Sequence, residues 1–61
     1  MLVPEKYNVI LYSLLGSQEL VQKWWASPNK AFDGMTPYEM LNRDEARIKN
    51  YLLAQLSGDY L

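Results

Sequence analysis

The hydroxyl groups of this chain are its first candidates for chemistry, and they lack the partners that catalysis needs. The sequence contains no histidine and no cysteine. A serine nucleophile therefore has no imidazole to take its proton, and only the rarer activation by lysine is open to it. The serines in question are scattered along the chain, at Ser13, Ser17, Ser27 and Ser57. We do not expect the protein to be an enzyme.

The neighbouring carboxylates Asp44 and Glu45 are the nearest approach to an acid pair. They lie at the start of a predicted helix, where negative side chains interact favourably with the helix dipole, so a structural role accounts for them. The sequence has no P-loop and no dinucleotide-binding glycine motif. Without cysteine it offers neither thiolate metal ligands nor disulfides. We therefore expect no metal and no cofactor.

Charge limits the partners further. The formal net charge is −1, the sequence pI is about 5.1, and the six lysines and arginines are scattered. Binding to a phosphate backbone requires a concentrated basic surface, so direct nucleic-acid binding is not expected. No segment approaches the roughly 20 apolar residues of a membrane span, and the first residues lack a signal-peptide pattern. These features predict a cytoplasmic protein without a membrane partner.

A loop with defined ends is predicted between residues 27 and 35. Pro28 disfavours the α conformation at Ser27, so the helix that contains two adjacent tryptophans should end near Ala26. Gly34 permits a positive φ angle within the loop. We expect Phe32 to fold inward and to order this segment.

A capping box follows the loop. Thr36 is a good N-cap, Pro37 fits the first helical position, and Glu39 is placed to reach back to the Thr36 amide. This combination is a specific start signal for a helix.

Apolar residues recur at helical spacing in four segments, which predicts an all-α fold. The helices should run from Pro4 to Gly16, from Ser17 to Ala26, from Pro37 to Leu41, and from Asn42 or Asp44 to Ser57-Gly58. The expected apolar face positions are Tyr7, Ile10, Leu11, Leu14, Leu20, Val21, Trp24, Trp25, Tyr38, Leu41, Ile48, Tyr51, Leu52 and Leu56. The predicted architecture is a small compact bundle of four helices, with residues 1–61 forming one domain.

Trp24 and Trp25 cannot both point into one narrow seam. Neighbouring positions on a helix diverge by about 100°. We assign Trp24 to the core. Trp25 fits a core position and an interface position equally well, and tryptophan is enriched at interfaces. Trp25 is therefore included among the candidate partner-binding residues.

The central segment resembles the toxin-binding domain of the Xre/MbcA/ParS antitoxins. The family's pattern of Trp-apolar, Pro-Asn, Ala-apolar-x-Gly and Thr-Pro-x-Glu-apolar-Leu is matched without a gap at Trp24, Pro28, Asn29, Ala31, Gly34, Thr36, Pro37, Glu39, Met40 and Leu41. The similarity covers roughly residues 14 to 61. Trp25 and Phe32 replace the usual leucines, and Asp33 stands where glycine is common. About a dozen residues precede the similar part, so we expect no counterpart of the family's upstream helix-turn-helix region.

The resemblance implies a protein-interaction function. Members of the family bind and neutralise RES-domain toxins, which consume NAD, and the C-terminal part of the domain obstructs the toxin's active site. Carried over to this chain, the binding face comprises the last helix and the tail, at Tyr51, Gln55, Gly58, Asp59, Tyr60 and Leu61. Some members insert a basic tail residue into the toxin, but no basic residue follows Lys49 here.

Two other hypotheses fit the same residues. The protein could be a stand-alone adaptor or inhibitor from a phage or mobile element, using the same fold on another host protein. It could also be a structural protein that self-associates. Because 49% of its residues are hydrophobic, a domain this small has more apolar surface than it readily hides, and we expect a homo-oligomer.

Overall fold

The computed structural model describes residues 3–57, which form four α-helices and one short 3-10 helix. The α-helices are α1 (Glu5–Leu15), α2 (Gln18–Ala26), α3 (Pro37–Arg43) and α4 (Glu45–Ser57), and the 3-10 helix spans Lys30–Phe32. The predicted all-α bundle of four helices is confirmed. The third helix continues to Arg43, past its predicted end at Leu41. No helix within the described range has the length and apolar character of a membrane span.

A tight turn joins α1 to α2. Gly16 ends α1 in the left-handed conformation, with φ of 89°, and its N–H donates to the Tyr12 carbonyl. A side chain would strain the backbone at this φ angle, which explains the glycine. Ser17 then starts α2 at once, since its Oγ accepts a hydrogen bond from the Leu20 amide at 3.2 Å. The helix boundaries predicted here are confirmed.

The capping box at the start of α3 is also confirmed. The Glu39 amide donates to Thr36 Oγ1 at 3.2 Å, and the Thr36 amide donates to Glu39 Oε1 at 2.8 Å. Two amides that the helix cannot pair internally are thereby satisfied. Pro37 occupies the first turn and is buried.

The core draws apolar side chains from all four α-helices and from the 3-10 helix. Its buried members are Tyr7, Leu11, Val21, Trp25, Phe32, Met40, Ile48 and Leu52. Phe32 is 1% exposed, which confirms that it folds inward. No buried side-chain nitrogen or oxygen among the described residues lacks a hydrogen-bond partner.

The two tryptophans differ in burial, and only Trp25 is a core residue. Trp25 is 2% exposed and belongs to the core, whereas Trp24 is half-buried at its margin. Trp25 follows buried Val21 by four positions, so both side chains lie on the same face of α2. The prediction that Trp24 is the core tryptophan is therefore wrong, and Trp25 does not lie at a domain edge.

Three leucines assigned to apolar faces are substantially exposed. Leu14, Leu20 and Leu56 expose 42%, 46% and 50% of their surface. Each lies in a terminal turn of its helix, where fewer neighbouring elements remain to cover it. The helical spacing identified the correct face but not the point at which the core ends.

Three side-chain contacts define how the helices lie. The Tyr7 hydroxyl in α1 donates to Glu45 Oε2 at the start of α4 at 2.7 Å. The Trp25 indole near the end of α2 donates to Asn8 Oδ1 in α1 at 2.8 Å. Trp24 stacks on Tyr51, halfway along α4. These contacts place the start of α4 and the end of α2 beside the first half of α1, and the middle of α4 beside the end of α2.

Candidate protein-binding surface

An aromatic pair lies at the margin of the core where α2 and α4 meet. The rings of Trp24 and Tyr51 stack with centroids 6.1 Å apart and an interplanar angle of 28°. Both side chains are half-buried, so each presents part of its ring to solvent. Gln55 follows Tyr51 by four positions on the same side of α4 and is exposed. We call Trp24, Tyr51 and Gln55 the aromatic face.

The buried ring of Phe32 packs against the core side of the aromatic face. Its ring meets Tyr51 nearly edge-on at 5.4 Å and Trp24 edge-on at 6.1 Å between centroids. Aromatic rings favour such edge contacts because of their quadrupoles. Because Phe32 is fully buried, it restricts the positions of the Trp24 and Tyr51 rings that pack against it.

Asn29 orders the loop that places Phe32 in the core. Its carbonyl accepts hydrogen bonds from the amides of Phe32 and Gly34, both at 3.0 Å, and its amide donates to the Met35 carbonyl at 3.0 Å. Its side-chain oxygen accepts from the Ala31 amide at 2.9 Å. All four of these hydrogen bonds involve Asn29. They pair loop backbone groups that no strand or α-helix pairs.

Two successive residues in this loop have positive φ angles. Gly34, at 83°, is the residue predicted to do so. Asp33 adopts the left-handed conformation as well, at 60°, in the position where the resembling family commonly has glycine. Aspartate tolerates this conformation better than most residues with a side chain.

Arg47 of α4 holds the same loop from the other side. Its Nη2 donates to the Ala31 carbonyl at 2.7 Å, its Nη1 lies 3.2 Å from Asp33 Oδ2, and its guanidinium lies 6.0 Å from the centre of the Phe32 ring. The ion pair is largely exposed and contributes little, so the bond to the carbonyl is the more important contact. No local sequence pattern singled out Arg47, because its partners lie 14 and 16 residues away.

The structure brings together only part of the predicted binding set. Tyr51 and Gln55 lie on one side of α4, and the partner of Tyr51 is Trp24, which had been assigned to the core. Trp25 is not on this surface, because its ring stacks on Tyr38 at 5.5 Å and its indole N–H is bound to Asn8. The other predicted residues, Gly58, Asp59, Tyr60 and Leu61, lie outside the described residues.

No three His, Cys, Asp or Glu side chains come together as a metal-binding group within residues 3–57. Burial raises the pKa of the Tyr7 hydroxyl to about 12, and the acceptor Glu45 adds to this rise. This hydroxyl bridges α1 and α4 away from the aromatic face, so its role is structural.

The aromatic face has the composition of a protein-binding surface. Tryptophan and tyrosine are enriched among the residues that dominate binding energies, particularly where part of the ring is already packed. A helical scaffold that presents such residues is typical of a small protein-interaction domain.

Comparison with protein families also indicates a protein-interaction domain. The model of the antitoxin Xre/MbcA/ParS C-terminal toxin-binding domain matches residues 11–58, and the chain belongs to that family. The predicted resemblance is confirmed, although the match begins earlier than residue 14 and stops before Asp59. No curated protein and no solved structure matches the chain at a significant level. Membership of this family implies a toxin, and hence a protein, as the partner.

Proposed function

We propose that the protein binds and neutralises a RES-type, NAD-consuming toxin, and that the aromatic face forms part of the contact. The observation that carries this proposal is the partly exposed Trp24–Tyr51 stack, which lies within the family match and joins α2 to the last helix. The contact extends through Gln55 to the tail residues Gly58, Asp59, Tyr60 and Leu61. The protein has no catalytic role in this proposal.

The support beneath the aromatic face favours tight binding. Ordering a rotamer-rich side chain on binding costs about 0.5 to 1.5 kcal/mol, and a side chain that is already fixed avoids part of that cost. Trp24 and Tyr51 are held by each other and by buried Phe32. They can therefore contribute contact area without first being immobilised.

Substitution of Gln55 tests the proposal without disturbing the core. Gln55 is exposed, so Gln55→Arg should leave the melting temperature unchanged while placing a long charged side chain on the aromatic face. We expect toxin affinity to fall by roughly 30-fold or more, the equivalent of about 2 kcal/mol. Gln22→Arg, an exposed position on α2, is the matched control and should bind normally.

The assay is growth and NAD content of cells that express a RES-type toxin with each variant, together with affinity measured on purified proteins. Equal neutralisation by wild type and by Gln55→Arg would remove Gln55 from the contact. A chain ending at Asp59 tests the tail in the same way, and undiminished neutralisation would exclude Tyr60 and Leu61. If the folded wild-type protein fails to bind the toxin, the alternative of an adaptor for another host protein gains support.

We also propose that the protein self-associates. The supporting observation is the exposure of large apolar side chains in a chain of 61 residues, including four leucines that are 42–50% exposed. Single exposed apolar residues are ordinary, but several large ones on so small a domain provide apolar surface for an interaction.

A further inference from the structure

We infer that the groove between α1 and α2 binds an extended peptide segment of a partner protein, with a basic residue of that segment beside Glu5. The groove is lined by residues of both helices, Glu5, Asn8, Val9, Tyr12, Gln18 and Gln22. We call these six residues the amide groove. The inference does not rest on the toxin contact proposed above.

The amide groove and the aromatic face lie on different flanks of α1 and α2. Tyr7 bonds to α4, whereas its neighbour Asn8 lines the groove. In the same way Trp24 stacks on Tyr51 of α4, whereas Trp25 lines the groove. Successive positions on a helix diverge by about 100°, which separates the two members of each pair. A toxin bound at the aromatic face therefore need not cover the groove.

The floor of the groove is well packed and orients a hydrogen-bond donor. Val21 and Trp25 line the floor and are each 2% exposed. The indole N–H of Trp25 donates to Asn8 Oδ1 at 2.8 Å. Because the side-chain oxygen of Asn8 accepts this bond, its NH₂ group points away from the indole. Asn8 therefore has N–H donors for an acceptor such as a backbone carbonyl of an occupant.

Two further carboxamides line the groove on α2. The side chains of Gln18 and Gln22 form no hydrogen bond with another residue in the range 3–57. A carboxamide contains the same donor and acceptor groups as a peptide unit, so it can pair with the N–H and the C=O of a backbone. These two side chains can therefore bind a peptide main chain of any sequence.

The spacing of the two glutamines favours an extended backbone over a helical one. Gln18 and Gln22 lie one helical turn apart, about 6 Å along α2. In an extended chain, the backbone groups that face one side repeat every second residue, or about every 6.6 to 6.8 Å. The two repeats agree to within the reach of a glutamine side chain. A helical occupant would have no use for these groups, because its own backbone is paired internally.

Val9 and Tyr12 supply apolar surface on the α1 side of the groove. They are 60% and 48% exposed and lie one turn apart. Successive side chains of an extended segment point to opposite sides, so every second side chain can cover these two residues. We therefore expect the bound segment to have apolar residues at alternate positions.

Charge complementarity selects a basic segment. Glu5 is the only charged residue among those that line the groove. Lys6 lies about 100° further around α1, with its Nζ 5.2 Å from the centre of the Tyr7 ring. Glu19 and Lys23 are exposed, lie one turn apart on α2 and have opposite charges, so their effects on the groove largely cancel. Because Glu5 is exposed, it contributes to selectivity more than to affinity.

A phage-displayed library of random linear nonapeptides is the probe. Selection on the immobilised full chain should enrich peptides with apolar residues at alternate positions and at least one lysine or arginine. Fluorescein-labelled synthetic copies should bind with a dissociation constant on the order of 50 μM, measured by fluorescence polarisation. Failure to enrich any peptide, or enrichment of peptides with helical spacing of apolar residues, would overturn the inference.

Matched substitutions locate the binding. Gln22→Ala should weaken peptide binding at least about 5-fold, whereas Gln55→Ala, the same change at an exposed position of α4, should not. Glu5→Gln should weaken binding about 3-fold and reduce its salt dependence, and Glu19→Gln, also in the first turn of a helix, should do neither. All four variants should melt like the wild type, because these side chains are exposed. Equal binding by the two alanine variants would overturn the groove as the site.

N-methylation of the peptide tests the backbone pairing. Methyl groups on every second amide should weaken binding about 10-fold in one register and little in the other, because only one set of amides faces the two glutamines. An equal effect in both registers would overturn the extended pairing.

Nuclear magnetic resonance of the full chain identifies the occupied surface. Amide shifts caused by the peptide should cluster at residues 5–12 and 18–22. Shifts centred on Trp24 and Tyr51 would instead place the peptide on the aromatic face. Groove shifts that appear on concentrating the protein without peptide would identify a second copy as the occupant. Either result would overturn the inference, and toxin binding is measured separately, so the two proposals can fail independently.

Discussion

The first turns of α1 and the loop 27–36 are both held firmly, but by different kinds of contact. The loop is closed mainly by hydrogen bonds between residues at most six positions apart, centred on Asn29 and on the capping box, and Arg47 of α4 adds a hydrogen bond to the Ala31 carbonyl. Residues 3–10 are held by Tyr7 and Asn8, whose partners lie 38 and 17 positions away. The comparison shows that one small domain can combine a locally determined element with one that only the complete fold can secure.

The locally closed loop and the first turns of α1 also lie on different sides of the boundary of the family match. The loop lies well inside residues 11–58, whereas Tyr7 and Asn8 lie before them. Yet Tyr7 is 2% exposed and belongs to the core, and Asn8 pairs the indole of the core tryptophan. In this chain residues 3–10, which precede the match, are therefore part of the folded unit.

Removing residues 1–10 should have the largest effect. The deletion takes away buried Tyr7 and the partner of the Trp25 indole, and it shortens α1 to its last five residues. On a domain with only a few kcal/mol of stability, we expect the loss of cooperative thermal melting by circular dichroism. Cooperative melting of a chain that starts at Leu11 would show that the matched part folds alone and that residues 1–10 are not needed to secure the bundle.

Asn8→Ala should have the next largest effect. It leaves the buried indole N–H of Trp25 without an acceptor, which costs about 1 to 3 kcal/mol. Urea unfolding at constant m-value measures the change. Asn50→Ala, at an exposed position of α4, is the matched control and should stay within about 0.5 kcal/mol of wild type. Equal stability of the two variants would mean that the Asn8 contact does not secure α1.

Thr36→Ala should cost about 1 kcal/mol, because it removes the N-cap of α3. Thr36→Ser keeps the accepting oxygen and should be nearly neutral. The same urea titration checks both variants. A serine variant as unstable as the alanine variant would assign the effect to the lost methyl group rather than to the cap.

Tyr7→Phe should have the smallest effect at neutral pH and a distinct signature in alkali. The pKa of Tyr7 is about 12 in the fold against the ordinary tyrosine value of 10.0, so the folded state retains the proton longer than the unfolded chain. The stability that this difference contributes is complete below pH 10 and is lost as the pH rises toward 12. The phenylalanine variant should lack this part of the decline, and Tyr12→Phe, at an exposed tyrosine, should retain it. Parallel urea titrations from about pH 8 to pH 12 make the comparison.

The elements that could be predicted from sequence are those whose contacts are local. Gly16, Ser17, Thr36 and Glu39 act within a few positions of themselves, so their residue types alone located the helix ends. The sequence indicated less clearly that Trp25, rather than Trp24, is the core tryptophan. One available indication was that Trp25 occupies a position where the resembling family has leucine, an ordinary core residue.

The candidate site was only partly predictable for the same reason. Tyr51 and Gln55 could be proposed from the resemblance, because it concerns the last helix. Trp24 joins them through a contact between α2 and α4, and Arg47 reaches back to Ala31 across the fold. Neither contact leaves a pattern in the sequence, since each depends on how distant helices pack. The exposed leucines show a second limit of sequence-based prediction. Helical spacing identifies an apolar face but does not reveal where the core ends.

The closed loop has a consequence for the lifetime of the protein. Loop tips are the usual first sites of proteolytic cleavage, and residues 27–36 form the longest stretch without α-helix in the described chain. Here the amides of Ala31, Phe32, Gly34 and Met35 are all bonded within the loop, and Phe32 is anchored in the core. A protease must wait for this segment to open, so cleavage there follows the population of the opened state rather than loop exposure. The stability of the bundle thereby sets how quickly this loop is cut.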